Sequence, residues 1–261
     1  MNKDLLEPIE LNRIYQMDCL EGMKLIPDKS VDMILCDLPY GTTQNNWDVV
    51  IPLDKLWLQY ERIIKDNGAI VLTAQTPFDK KLGASNLKLL KYEWIWEKNK
   101  ATGHLNSKKM PMKAHENILV FYKGLPTYNP QGLVKKEKPT IRKGGAGNGT
   151  NYGRSDRDAI QEYTNFPRDI LRFDTDAKTP HPTVKPIELF EYLIKTYTNA
   201  NEIVLDNCMG SGTTAVAAKK LKRNFIGFET KRKYIELANI RIEGIYNKEN
   251  DAKIIDKILN S

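Results

Sequence analysis

Apolar residues fall along this chain in two rhythms. Short, nearly unbroken apolar runs bounded by polar, Gly or Pro clusters cover 31–36, 69–73, 92–96, 118–122, 203–205 and 224–228. Runs of that length read as strands buried on both faces, and 13–17 alternates enough to add a short one. Between them lie stretches with helical spacing: 20–26, 53–65, 78–90, 187–197 and 231–246. In 53–65 the apolar stripe is Leu53, Leu56, Trp57, Tyr60, Ile63 and Ile64, and Asn67-Gly68 reads as its stop. Pro186 reads as the first helical position of 187–197. Strands alternating with helices predict an α/β fold with right-handed crossovers, a mostly parallel central sheet flanked by helices.

The rhythm fails between Gly124 and Thr179. The stretch 143–154 alone holds five glycines, too many for the interior of a helix or strand. A loop this long inside a compact domain is usually functional or disordered. The expected division is therefore 1–123 and 181–261 as two parts of one domain, with 124–180 inserted between them.

Charge sharpens that division. The formal net charge is +7, yet between Lys98 and Lys143 eleven Lys or Arg face only Glu116 and Glu137, a local +9 that leaves the rest near −2. Basic charge confined to one segment suits a phosphate backbone, and Lys135, Lys136, Arg142, Lys143 and Arg154 are the candidate contacts. A solubilising lysine-rich loop is the bland alternative. No apolar run approaches membrane-spanning length and residues 1–7 lack a signal-peptide pattern, so a cytoplasmic protein is expected. Cys19, Cys36 and Cys208 are an odd number with no paired spacing, which argues against a disulfide framework or a zinc site. No metal is expected.

Two stretches carry the candidate chemistry. The strand 31–36 opens into Asp37-Leu38-Pro39-Tyr40, an acid placed where open α/β sheets bind ligands. An aromatic exocyclic amine is a poor nucleophile because its lone pair is delocalised. A catalyst must hold its N–H groups with acceptors set out of the ring plane, and Asp37 Oδ with the carbonyl of Leu38 or Pro39 could do so. Tyr40 adds a flat face for a base taken out of its stack. An Asp and a Pro after a strand are also ordinary loop punctuation.

The second stretch, Asp206-Asn207-Cys208-Met209-Gly210-Ser211-Gly212-Thr213-Thr214, follows the strand 203–205 and opens a helix. A P-loop would need Lys after the last glycine, and here Thr213 stands there. A dinucleotide fingerprint would need a third glycine. An acid before the glycines suits a ligand with a positive amino acid group, and Glu229, after the next strand, stands where ribose hydroxyls are bound.

Together these motifs resemble the DNA amino-methyltransferases that use S-adenosylmethionine. The likeness rests on the D-P-P-Y-like Asp37 to Tyr40, departing at Leu38, and on the D-x-x-x-G-S-G turn, with Cys208 where the family usually has Phe. His181-Pro182-Thr183-Val184-Lys185-Pro186 stands in front of that turn. Catalytic motif first and cofactor motif last is the order of the family's beta class.

The resemblance implies a Rossmann-like methyltransferase fold in which 124–180 is the target recognition region, and in which the strands carrying Asp37 and Asp206 lie side by side. It implies that Asp18, Cys19, Asp37, Thr183, Lys185, Asp206, Asn207, Cys208, Gly210, Ser211, Gly212, Thr213 and Glu229 line the cofactor, with Asp18 toward its adenine and Lys185 toward its carboxylate. Asp18 also suits a helix N-cap. His115-Glu116 resembles a further family motif and is read as structural or part of a base pocket. Double-stranded DNA is the implied partner; a second copy of the chain and a cognate restriction endonuclease are partners known among such enzymes. Asp at the motif's first position goes with adenine in most members, Ser with cytosine, so adenine is expected here and cytosine N4 is the alternative.

Cytosine-carbon methylation would need a cysteine nucleophile, typically after a proline, and none of the three follows one. An enzyme acting on RNA or protein amides usually carries its acceptor motif after the cofactor motif. A DNA-binding protein without catalysis would explain the basic segment and neither motif.

Overall fold

The computed structural model describes residues 5–6, 9–42, 48–144, 158–175 and 184–244. The chain divides into two compact units, 1–129 with 169–261, and 130–168.

In the larger unit a two-residue ladder, β1 (Leu5–Leu6) with β2 (Ile9–Glu10), precedes the main sheet. In chain order that unit then contains β3 (Arg13–Gln16), α1 (Cys19–Lys24), β4 (Val31–Asp37), α2 (Leu53–Ile63), β5 (Ile64–Ala74), α3 (Phe78–Ser85), β6 (Leu90–Thr102) and β7 (Lys113–Phe121). After the smaller unit come β10 (Ile170–Arg172), α4 (Ile187–Tyr197), β11 (Ile203–Asp206), α5 (Thr213–Lys220), β12 (Asn224–Glu229) and α6 (Arg232–Glu243). The sheet runs β10-β6-β7-β5-β4-β11-β12-β3. Only β7 pairs antiparallel with its neighbours, β5 and β6; every other described pairing in this sheet is parallel.

Alternation along the central strands splits the core into two layers. Ile34, Cys36, Leu72 and Leu205 face α1, α2 and α3, whereas Met33, Leu35, Val71 and Val204 face α4, α5 and α6. The stripe of α2 buries Leu56, Trp57, Tyr60 and Ile63, and full burial of such side chains stabilises by roughly 1.5–3 kcal/mol each. This is the mostly parallel sheet between helix layers that the spacing predicts. Strands β4 and β11 pair directly, Val204 with Met33 and Leu205 with Ile34. The sheet grows from them in opposite directions, to β5 on one side and β12 on the other, so their C-terminal ends mark a topological switch point, where open α/β sheets bind ligands.

Several boundaries differ from the sequence reading. Asn67-Gly68 does not stop α2: the helix ends at Ile63, and Asn67 and Gly68 lie inside β5, where the pairing with β4 slips between Val31 and Met33. The helix at 78–90 ends at Ser85, and β6 and β7 run longer than 92–96 and 118–122. Pro186 is the N-cap of α4 rather than its first residue. The stretch 124–180 is not structureless. It contains the hairpin β8 (Val134–Arg142) with β9 (Ala159–Thr164), and β10, which joins the main sheet beside β6. Backbone hydrogen bonds tie Gly124 and Thr127 to Asp66 and Asn67, and Asn129 to Thr196. The separate unit is therefore 130–168, narrower than 124–180. Residues 245–261 lie outside the described residues.

Candidate active site

The C-terminal end of β4 delivers Asp37. Register places it opposite Thr73 of β5, whose hydroxyl donates to Oδ1 at 2.5 Å. The Tyr40 hydroxyl donates to the same oxygen at 2.7 Å, and the Lys185 ammonium meets Oδ2 at 2.6 Å. Leu38 turns inward and is buried, while Asp37, Pro39 and Tyr40 stay part-open. Phe78 backs the Tyr40 ring, 5.4 Å between centroids and 24° between planes, and the Lys185 nitrogen stands 5.6 Å from the Tyr40 centroid. Burial, then the charges of Asp37 and Glu116, push the Tyr40 hydroxyl well above its ordinary range, so it stays a donor. Asp48 closes the loop that follows by accepting from the backbone N–H of Gly41 at 2.7 Å and of Thr42 at 2.9 Å. Gln44 to Trp47 lie outside the described residues.

Lys185, expected in the cofactor lining, is buried, and its ammonium lies between Asp37 and Glu116, the latter 3.4 Å away. Burial works against that charge; the two carboxylates outweigh it and hold the ammonium protonated well above the usual lysine range.

One strand over, Asp206 ends β11. It is only 3% exposed and already satisfied: Oδ1 accepts from the Cys208 N–H at 3.0 Å and Oδ2 from the Thr214 hydroxyl at 2.5 Å. Burial pushes its carboxyl up to about 6, against the pull of those two donors. Asp206 thus shapes the glycine turn from within. Tyr60 of α2 donates to Asn207 Oδ1. Buried Arg241 of α6 binds the Ser211 carbonyl at 2.6 Å and the Ser211 hydroxyl at 3.0 Å. Gly212 sits at φ +84° with Ala238 packed so close that a Cβ would lie 2.6 Å from it, so only glycine fits. A Cβ on Gly210, by contrast, would meet nothing nearer than the Cys208 carbonyl at 3.8 Å, so the turn is open at that point. Glu229 ends β12 and accepts from the Gly210 N–H at 2.9 Å and the Lys231 N–H at 2.8 Å.

The N-cap reading of Asp18 holds: Oδ1 accepts from the N–H of Leu20 at 2.8 Å and Glu21 at 3.3 Å. Cys19, Cys36 and Cys208, scattered in sequence, meet behind the turn as hydrogen-bonded free thiols. Burial pushes Cys36 up to about 12, which leaves a thiol rather than a nucleophilic thiolate. Among the described residues no group of three or more His, Cys, Asp or Glu could hold a metal ion, and no helix is long and apolar enough to cross a membrane.

The fold thus brings Asp37, Leu38, Pro39, Tyr40 and Lys185 to one strand end and Asp206, Asn207, Cys208, Gly210, Ser211, Gly212, Thr213 and Glu229 to the neighbouring ends, with Cys19 joined through Cys208. Thr183 and Arg154 lie outside the described residues. Lys135, Lys136 and Arg142 stand on β8, with Lys143 just after it, all in the 130–168 unit.

A family model described as DNA methylase matches residues 31–240. The chain belongs to the DNA methylase family. Among curated relatives of this DNA methylase, the type II methyltransferase M1.MboII of Moraxella bovis is 30% identical over 88% of the chain and 96% of its own length. M.HinfI of Haemophilus influenzae is 28% identical over 94% of the chain and 72% of its own length. Among solved structures, the M1.HpyAVI–SAM complex superposes with a TM-score of 0.62 at 27% identity, covering 88% of this chain and 98% of that one. The PvuII cytosine-N4-specific DNA methyltransferase superposes equally well, TM-score 0.62, over 95% of this chain and 92% of that one; at 18% identity it speaks to the fold alone.

Sequence reasoning missed Thr73, Tyr60, Phe78 and Arg241. Tyr60 and Phe78 looked like packing residues, and Thr73 like the end of a strand. Arg241 stood in a helix otherwise rich in solvated charge. Only the fold shows that each reaches a motif residue.

Proposed function

We propose that this DNA methylase transfers the methyl group of S-adenosylmethionine to the exocyclic amine of adenine in a short duplex DNA site. The observation that carries the reading is the pairing of β4 with β11, which sets a carboxylate acceptor, Asp37, beside the open glycine turn.

The residues fit the cofactor's chemistry. Gly210 leaves the turn open to a ligand, and the Glu229 carboxylate ends the next strand, where ribose hydroxyls are bound in such folds. Asp18, Cys19, Thr183, Asn207, Cys208, Ser211, Gly212 and Thr213 complete the expected lining, and Asp206 acts by holding the turn's shape. When bound, S-adenosylmethionine supplies an electrophilic methyl carried on sulfur.

The chain's own residues prepare the amine. Asp37 Oδ1 is occupied by the Thr73 and Tyr40 hydroxyls, so the accepting lone pair for an N–H is on Oδ2, beside the Lys185 contact. The Leu38 or Pro39 carbonyl is the second acceptor. The base lies on the Tyr40 face away from Phe78. Transfer is an in-line displacement that depends on positioning and needs no covalent enzyme intermediate. An ionised carboxylate is a stronger acceptor than a hydroxyl, and Asp rather than Ser supports adenine over cytosine. The basic residues Lys135, Lys136, Arg142, Lys143 and Arg154 hold the phosphate backbone in this reading.

Incubation with labelled S-adenosylmethionine and duplex DNA, RNA or protein, followed by digestion of the labelled DNA to nucleosides and mass analysis, tests the proposal. Label should enter duplex DNA as amino-methylated adenine. Amino-methylated cytosine without methylated adenine, or label entering only RNA or protein, would overturn it.

A further inference from the structure

Four charged side chains alternate through the core behind the acceptor. Lys98 of β6 meets Glu116 Oε1; Glu116 Oε2 faces the Lys185 ammonium at 3.4 Å; Lys185 meets Asp37 Oδ2 at 2.6 Å. The first three side chains are 7%, 8% and 9% exposed and the Asp37 side chain 30%, so the row runs from the interior to one open end, the acceptor. The contact between Glu116 and Lys185 is an ion pair without a hydrogen bond, since Oε2 has no hydrogen-bond partner.

We propose that Glu116 is a positioning residue for methyl transfer, acting through Lys185 to keep one lone pair of Asp37 Oδ2 open to the substrate amine. This rests on the reading of Asp37 as the amine's acceptor.

The argument is one of geometry. A lysine ammonium is a point charge on a flexible stem with three donors and no fixed direction. Beside a carboxylate alone it settles where it draws most on both oxygens. Here Oδ1 is closed by Thr73 and Tyr40, so the position of Lys185 decides what remains of Oδ2. Glu116 pulls the ammonium from the side opposite Asp37 and fixes it at that edge. Burial pushes the Glu116 carboxyl up, but the ammoniums of Lys185 and Lys98 outweigh it and hold it below its ordinary value, so the pull persists at neutral pH. Lys98 in turn balances the extra negative charge and leans on the Trp96 ring, 5.1 Å from its centroid.

A structural role and a positioning role separate in a pair of variants. Glu116→Gln keeps the shape but leaves Lys98 buried without its partner, which by itself lowers stability. Lys98→Met with Glu116→Gln removes a neutral pair and relieves that strain, yet still leaves Lys185 held by Asp37 alone. Single-turnover transfer to unmethylated genomic duplex DNA at saturating S-adenosylmethionine, cofactor and DNA affinities, and Tm are measured on both, with Asp37→Ala alongside. Glu116→Gln should transfer at least about 10-fold more slowly, the order a small misplacement costs, with both affinities within about 3-fold. In the double variant Tm should recover and the slow rate should remain. Recovery of the rate together with Tm, or a wild-type rate in Glu116→Gln beside an inactive Asp37→Ala, would overturn the proposal alone. A wild-type rate in Asp37→Ala would overturn the acceptor reading and this inference with it.

Discussion

Asp37 and Asp206 end adjacent parallel strands, yet the fold treats them in opposite ways. Asp37 is held by two hydroxyls and an ammonium at the open edge of the sheet. Asp206 has no cationic partner among its described contacts; donors of its own turn and the Cys36 thiol enclose it, and burial pushes its carboxyl up to about 6. A carboxylate held against an ammonium at an open strand end can accept from a substrate, whereas one enclosed by N–H and O–H donors of its own turn holds the backbone. Identical side chains at equivalent strand ends therefore stand in different surroundings, and the deciding difference is what each faces across the sheet.

The largest effect should come from the open carboxylate. Asp37→Ala should cut steady-state methyl transfer by about 10³-fold or more, as removal of a preorganised transition-state interaction does; a labelled-methyl filter assay reads it. The sealed carboxylate should act on the fold instead. Asp206→Ala leaves the Cys208 N–H and Thr214 hydroxyl without their acceptor, and chemical denaturation should show a drop of about 2–4 kcal/mol.

That contrast extends to pH. A buried acid whose folded value lies above the ordinary 3.8 favours its protonated form in the folded state. Its contribution is fully present below about pH 4 and is lost as pH rises to about 6. Two units correspond to no more than about 3 kcal/mol, and Asp206→Asn should remove this component from a stability profile measured between pH 4 and 7. Equal pH dependence in the two proteins would place the titration elsewhere.

The smallest effect concerns the basic unit. Neutralising Lys135, Lys136, Arg142 and Lys143 should weaken binding to all DNA sequences and lower the log–log salt slope by about 0.9 for each phosphate the protein no longer neutralises. An unchanged slope would show that these residues only solvate the hairpin.

Much of this contrast was legible along the chain, because strands buried on both faces announce themselves as apolar runs and both motifs sit at their ends. Hairpin β8–β9 was not, since nearly every residue in it is solvent-exposed and no apolar alternation marks it. Asn67-Gly68 misled because the stop signal for a helix also suits an irregular strand start, and only pairing with β4 decides between them. The partners of Lys185 could not be read either: Asp37 lies 148 positions away, and Glu116 arrives on the reversed strand β7. Local pattern specifies elements, and the charges that set the site meet only through the sheet order.

The most direct test of the division between the two carboxylates is a calorimetric titration of S-adenosylmethionine into Asp37→Ala and Asp206→Ala side by side. Asp37→Ala should bind within about 3-fold of wild type, because its contact is to the amine, while Asp206→Ala should bind at least about 10-fold more weakly, at about 1.4 kcal/mol per decade. Weakened binding in Asp37→Ala with unchanged binding in Asp206→Ala would contradict the account.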